Sequence, residues 1–343
     1  MKAADKALQQ DKLQAEIDER GRRENAAARA RALAERKADS MPVVHGFDGP
    51  RLERHVDAEM IDPAPTGGIV EVFQQRYLLR LIVGRQLAQQ YAASVLGLLW
   101  SYIQPGMRFL VYFFIFGVVL KTHQGTPNFA LRLFTGMVFM HFFTETWTKA
   151  TQSIWSNRAL VLKMRMPREV FPLASMLTAL YHTGPQIVIL VVTAAIVGWH
   201  FSMTAIAAGV LGLLILLAFS TAMALLFSAL NVLYKDFQNI VATIVQFMHF
   251  LVPMMYSYQV IHNLGEDHQA VYQLYMANPL AEAVLLMQRC FWLPSVHNPS
   301  AYSDMFPADL WERGLIMLVL CLGLLFLSQK FFSRVESKFP ERL

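Results

Sequence analysis

The sequence predicts an all-α integral membrane protein with six transmembrane helices, an N-terminal interfacial helix and a re-entrant outer segment before the last span. Three observations lead there. The chain has 343 residues and is 55% hydrophobic, with mean hydropathy +0.35, where soluble domains hold roughly 45–50% apolar residues. The surplus is uneven, because residues 1–67 are polar and charged and most of the chain beyond Gly68 is apolar. Several apolar runs reach the roughly 20 residues that a helix needs to cross the hydrocarbon core. They lack the period-two alternation of a barrel, and a spanning backbone must satisfy its own hydrogen bonds, so they are helices.

Taken in order, residues 1–40 are rich in Ala, Glu, Lys, Arg and Gln, which are good helix formers. They carry no sustained apolar stripe. A solvated helix, a disordered tail and a docking arm all fit them. Residues 41–67 carry Pro42, Pro50, Pro63 and Pro65 and form a linker, with the membrane domain running over 68–343. No cleavable leader is expected, since the charged N-terminus lacks an apolar segment. Residues 69–91 predict an amphipathic helix. Glu71, Gln74, Gln75, Arg85, Gln86 and Gln89 share one face, with Val70, Phe73, Tyr77 and Leu81 opposite, as an interfacial helix requires. The spans come next, at about 96–120, 131–154, 173–199, 204–233, 240–258 and 311–331.

Lys and Arg in the connections set orientation. One set of loops holds Arg158, Lys163, Arg165, Arg168, Lys235, Arg334, Lys338 and Arg342, beside Arg76, Arg80 and Arg85. The other holds little more than Lys121, Arg289 and Arg313. Both termini are therefore expected in the cytoplasm of a plasma-membrane protein. The outer segment 259–310 is not simply polar. Residues 272–292 are apolar, interrupted at Asn278, Pro279, Glu282 and Arg289, and read either as re-entrant helices or as a surface loop.

Several chemistries find no support. No Gly-Lys pair occurs, so no phosphate-cradling G-x-x-x-x-G-K-[ST] loop exists, and no H-E-x-x-H pair is present. Cys290 and Cys321 form no motif. Charges deep in the spans are few, mainly Arg108, Glu145 and Lys149, whereas a proton-coupled pump usually shows more intramembrane carboxylates. His141 and His249 read as packed polar residues. The chain reads as a conduit driven from elsewhere.

Ordered motifs sharpen this. Tyr91, Ser94, Leu96–Trp100, Gln104 and Pro105 read Y-x-x-S-x-L-G-L-L-W-x-x-x-Q-P, with Phe116–Gly117 beyond. Ser156, Asn157, Leu160, Lys163, Pro167, Arg168, Glu169, Pro172 and Leu173 form a second set. Tyr234–Lys235–Asp236, Pro253 with Tyr256, and Asn278–Pro279–Leu280 complete the series. Together they resemble, across about residues 70–335, the ABC-2 type permeases that export O-antigen, capsule and teichoic acid polymers. Met166 stands where the family usually has Phe, Val252 replaces the Ser of its S-P pair, and Gln90 replaces a basic residue.

The resemblance implies a homodimeric permease paired with two copies of an ABC ATPase subunit, which holds the ATP and Mg²⁺. No cofactor, metal, covalent chemistry or nucleic-acid partner is expected in this chain. Asn157, Leu160, Lys163, Arg165, Pro167, Arg168 and Glu169 would form the ATPase-coupling element. The cargo would be a polyprenyl-diphosphate-linked glycan, and the Ala/Arg-rich extension leans towards the galactan precursor of actinobacterial walls. Arg76 and Arg80 lie about 40° apart on a helix. With Arg85 they are the candidate diphosphate ligands, since forked guanidiniums bind such groups through paired hydrogen bonds; ordinary anionic lipid is the other reading. Pro105 predicts a kink beside Trp100. Trp100, Phe109, Tyr112, Phe116, Phe139, Phe142, Phe143 and Trp147 recur at helical spacing and either line a glycan channel or pack. Two rivals stay open: an ABC-2 exporter of a small lipid or drug, and a membrane glycosyltransferase, which would need an acidic cluster.

Overall fold

The computed structural model describes residues 68–343 apart from 93, 122–124, 165 and 268. The expectations for residues 1–67 and for Arg165 lie outside these. The elements formed by the described residues are all helices, without a strand.

The predicted interfacial helix comes as two pieces, α1 (Gly68–Gln74) and α2 (Arg76–Tyr91), because Gln75 leaves helical backbone geometry at φ −92°, ψ 42°. Then comes α3, Gly97–Val119. It opens with a 3₁₀ turn, continues as α-helix over Trp100–Tyr112 and ends as π-helix over Phe113–Val119. The Y-x-x-S-x-L-G motif is the corner between α2 and α3. Ser94 Oγ accepts the Gly97 N–H at 3.0 Å, and Tyr91 OH meets Ser101 Oγ at 2.7 Å. Gly97 sits at φ +47°, left-handed backbone that glycine adopts without a Cβ clash.

Next come α4 (Phe129–Ser156), the short α5 (Arg158–Lys163), α6 (Val170–Ile196) and α7 (Met203–Leu233). After them, α8 is Phe237–Met248, α9 Tyr258–Asp267, α10 Gln269–Met276 and α11 Pro279–Phe291. The chain closes with α12 (Leu310–Glu336) and α13 (Phe339–Arg342). Among the described residues, four helices are long and apolar enough to cross a membrane: α3, α6, α7 and α12. At the predicted second span stands a helix, α4, of 28 residues, which is not among these four because Arg132, Glu145 and Lys149 dilute its apolarity.

The predicted fifth span is interrupted. Its helix, α8, stops after 12 residues, about 18 Å at 1.5 Å per residue. Pro253 disfavours helix at Val252, and the chain turns instead, with Met254 N–H on the Val252 carbonyl. The motif residues hold this turn in place. Gln288 donates to the Pro253 carbonyl at 3.1 Å, and Tyr256 OH to the Phe250 carbonyl at 2.8 Å.

In the bundle, α11 sits enclosed by α4, α7 and α12, with its residues Leu280–Gln288 all buried. Asn-Pro-Leu is its start signal. The Asn278 side chain accepts the Leu280 N–H at 3.1 Å, and Pro279 fits the first helical position, where its missing N–H costs nothing. Close approach is possible because α7 presents glycine. A Cβ on Gly212 would lie 3.0 Å from the Ala283 carbonyl oxygen and from Leu286 Cβ, and one on Gly209 would lie 2.6 Å from Cys290 Sγ. Small residues serve this purpose between packed membrane helices. Buried Arg132 is held by Gln288 at 3.3 Å and by the Trp292 ring, 5.0 Å from its guanidinium.

A second apolar core gathers one end of the molecule. Val72, Leu79 and Ile82 meet Ile154, Val161, Met166, Phe171, Val232, Phe332 and Phe339. It joins α1 and α2 to the ends of α4, α6, α7 and α12. Met166, the departure from the family's Phe, fills this core as an unbranched side chain can.

Candidate functional site

Three surfaces stand out. The first is the exposed side of α1 and α2. Val72, Leu79 and Ile82 anchor the helices to the bundle, while Val70, Phe73, Tyr77 and Leu81 stay uncovered. Arg76, Arg80 and Arg85 are all exposed. Hydrogen bonds join the C-terminal half of α2 to the bundle: Thr178 Oγ1 donates to Gln86 Oε1 at 3.0 Å, and Lys149 Nζ to Gln90 Oε1 at 2.7 Å. Gln90, where the family often has a basic residue, is thus a partner for a cation.

The second surface is the connection from α4 to α6, and its geometry divides the predicted coupling set. Lys163 is exposed, and Asn157 and Leu160 are half-buried. Asn157 ends α4 by donating from its side chain to the Ser153 carbonyl at 2.8 Å. Pro167, Arg168 and Glu169 are buried. The Arg168 guanidinium donates to the Glu336 carbonyl, lies 3.8 Å from that residue's carboxylate and rests 5.7 Å over the Phe339 ring. Glu169 accepts from Gln329 at 2.9 Å, and burial pushes its carboxyl above the ordinary range. Arg168 and Glu169 therefore tie the loop to the end of α12 rather than facing outward. The surface itself is formed by α5 and its flanks: Arg158, Leu162, Lys163 and Met164. Beside it, Trp155 lies between Lys235, 3.7 Å from the ring centroid, and Arg158, 5.6 Å away, so the Lys of Tyr-Lys-Asp pins the α7–α8 turn against α4.

The third feature is a polar cluster halfway along the helices. On α4, His141, Glu145 and Lys149 repeat every fourth residue and so share one face. Glu145 Oε1 lies 2.5 Å from Lys149 Nζ and 2.6 Å from Nδ1 of His182 on α6. A carboxylate only accepts, so that ring nitrogen carries the proton. His141 Nδ1 is 3.7 Å from Glu145 Oε2. Arg108 on α3 approaches His249, at the end of α8, at 3.5 Å. Two clefts open on the cluster. One, of about 140 Å³, runs past Tyr91, Trp100, Ser101, His141, Glu145 and His182. The other, of about 440 Å³, runs past Arg108, Tyr112, His141, Glu145, Lys149 and His249.

The predicted channel aromatics separate accordingly. Tyr112 and Trp100 border these clefts. Phe109 and Phe116 are half-buried: Phe109 sits edge-on to Phe134 at 5.4 Å, and Phe116 against Tyr112 at 6.3 Å. Phe139, Phe142, Phe143 and Trp147 are core residues. Phe143 stacks on Phe219 at 5.3 Å, Trp147 meets Phe227 edge-on at 5.0 Å and Phe139 packs on Phe291 at 6.1 Å. Their spacing reflects packing within this chain, because the face they occupy is the one α7 and α11 cover. The cluster itself is only partly visible in the sequence. Arg108, Glu145 and Lys149 stand out there as charges, but His141 and His249 read as packing and His182 belongs to no motif. The four-residue repeat of His141, Glu145 and Lys149 is the signal that points to it.

Fold and surfaces together define a multi-pass helical membrane protein whose polar groups, set between the helices, are reached from open clefts. Comparison with known proteins then places it: the chain belongs to the ABC-2 type transporter family, whose sequence model matches residues 77–290. It is 28% identical over 253 residues to the O-antigen export system permease protein RfbA of Myxococcus xanthus, covering 72% of this chain and 93% of that protein. Two proteins of the same name from Klebsiella pneumoniae are 25% and 26% identical over 272 residues, covering 78% of this chain and 95% of each.

Proposed function

We propose that this chain is the membrane subunit of an ABC exporter that moves a polyprenyl-diphosphate-linked polysaccharide, of O-antigen, teichoic acid or galactan type, across the plasma membrane. The observation that carries this is the similarity to O-antigen export permeases over almost their whole length. A separate subunit hydrolyses ATP, and two copies of each assemble. The exposed α5 surface, basic and apolar at once, supplies a docking site for that ATPase. The chain crosses six times if α4 and α8 join the four long apolar helices, with α11 re-entrant from the outside. The end gathered by the second core carries Arg158, Lys163, Lys235, Arg334 and Lys338, which favours placing it in the cytoplasm. Along that interface α1 and α2 would lie, their uncovered apolar residues in lipid and Arg76 and Arg80 at phosphate level.

Depleting the chain in the cells that produce it tests the reading. Surface glycan should fall while one lipid-linked glycan accumulates inside. Unchanged surface glycan with altered export of a small lipid or drug would overturn it.

A further inference from the structure

We propose that the polar cluster on α3, α4, α6 and α8 binds sugar hydroxyls, holding one uncharged glycan unit between these helices and the end of α2; this rests on the reading of the cargo as a lipid-linked glycan. Polar side chains placed between apolar helices are costly unless paired, and inside a membrane they mark sites of function. Here the pairing is incomplete. Glu145 Oε2, His141 Nδ1 and His182 Nε2 are buried without a hydrogen-bond partner. His182 is 2% exposed; its Nδ1 engages Glu145, which leaves Nε2 as the ring nitrogen available to a ligand.

The mixture of groups selects the ligand chemistry. A phosphate only accepts hydrogen bonds, and the carboxylate of Glu145 would repel it. Lys149, the nearest cation to that carboxylate, is already engaged by it and by Gln90. A sugar ring offers hydroxyls that donate and accept at once. They can donate to Glu145 Oε2 and accept from Arg108, and can pair in either sense with the ring nitrogens of His141 and His182. Tyr112 and Trp100 border the two clefts and supply flat faces for the apolar side of a pyranose ring. The larger cleft, about 440 Å³, falls within the roughly 300–1,000 Å³ of small-ligand sites. His141 and Glu145 line both clefts, so a unit passing from one to the other stays within reach of the same two side chains. The arginines of α2 are separate from this site and would hold the diphosphate.

The test uses the permease with its ATPase in nanodiscs and two probes: bare undecaprenyl diphosphate, and the glycan-bearing lipid purified from the producing cells. ATPase stimulation is titrated with each, relative to each variant's own basal rate. In Glu145→Gln and His141→Ala, half-maximal stimulation by the glycan-bearing lipid should need at least tenfold more probe, with the bare carrier unchanged. Equal shifts with both probes, or with neither, would overturn the proposal. Wild-type complex that responds to neither probe would instead defeat the exporter reading, and this inference with it. Should Glu145→Gln fail to assemble, His141→Gln, on a residue bordering both clefts, is read by the same criterion.

Discussion

Arginine 168 and lysine 163 sit five residues apart in one connection and do different physical work. Arg168 is buried on Glu336 and Phe339, while Lys163 is exposed. Removing one partner of a buried ion pair typically costs about 3–5 kcal/mol, so Arg168→Ala should lower the melting temperature of the purified chain by several degrees. Lys163→Glu should leave melting unchanged yet weaken ATPase binding or export. A melting loss in Lys163→Glu, or none in Arg168→Ala, would reverse the assignment. On α2 the discriminating change is Arg to Lys, which keeps charge and loses the planar fork. Arg76→Lys with Arg80→Lys should preserve insertion and assembly but cut stimulation by undecaprenyl diphosphate several-fold. Full stimulation would leave those arginines as binders of ordinary anionic lipid.

Among the elements, α11 depends most on the chain around it. Its first turn is fixed by Asn278, which also donates to the Leu251 carbonyl at 3.1 Å, tying the helix start to the turn after α8. Losing such a cap costs about 1 kcal/mol. Asn278→Ala should therefore lower stability modestly and expose Cys290, the buried thiol on the last turn, to faster maleimide labelling. Gly212→Val should do far more, because its side chain would meet a backbone carbonyl, and backbone cannot swing aside. Equal labelling of Cys290 in wild type and Gly212→Val would remove the case for tight α7–α11 packing. The sequence made α11 legible through Asn-Pro-Leu and through an apolar run, 272–292, broken at Asn278, Pro279, Glu282 and Arg289. It did not reveal that α8 stops at Met248, because apolar composition continues to Tyr258 with only His249 and Ser257 as polar breaks, and the geometry imposed by Pro253 interrupts the helix.

For the whole molecule, hydropathy is a strong guide to which segments are helical and a weaker one to what each helix faces. The windows drawn from composition overlap α3, α4, α6, α7 and α12 closely, since length and apolarity are local properties. The aromatic row of α4 misleads because a lipid-facing, a channel-facing and a core-facing stripe share one period, and the neighbours decide among them. The same limit hides the partnership of His182 with Glu145, which needs two helices to meet. Orientation is testable directly. Single cysteines at Ser156 and Asn298, on opposite ends of the bundle and both exposed, should differ: only position 298 should react with an impermeant maleimide in intact cells. Outside labelling at position 156 would invert the topology.

The π-helical stretch at the end of α3 bears on tolerance to length change. Leu120 N–H reaches back five residues, to the Ile115 carbonyl, at 2.9 Å, so each turn there stores more chain than an α-turn. That surplus is slack. Deleting Val118 should let the segment rewind as α-helix, with Arg108 and Tyr112 keeping their directions because they precede it. A deletion in α7 has no such reserve. Loss of Ala218 would rotate everything beyond it by about 100°, turning one half of the helix away from the partners that the other half still meets. The Val118 deletion should be recovered from membranes as assembled, exporting complex and the Ala218 deletion should not; recovery of both, or of neither, would mean that the spare residue confers no latitude.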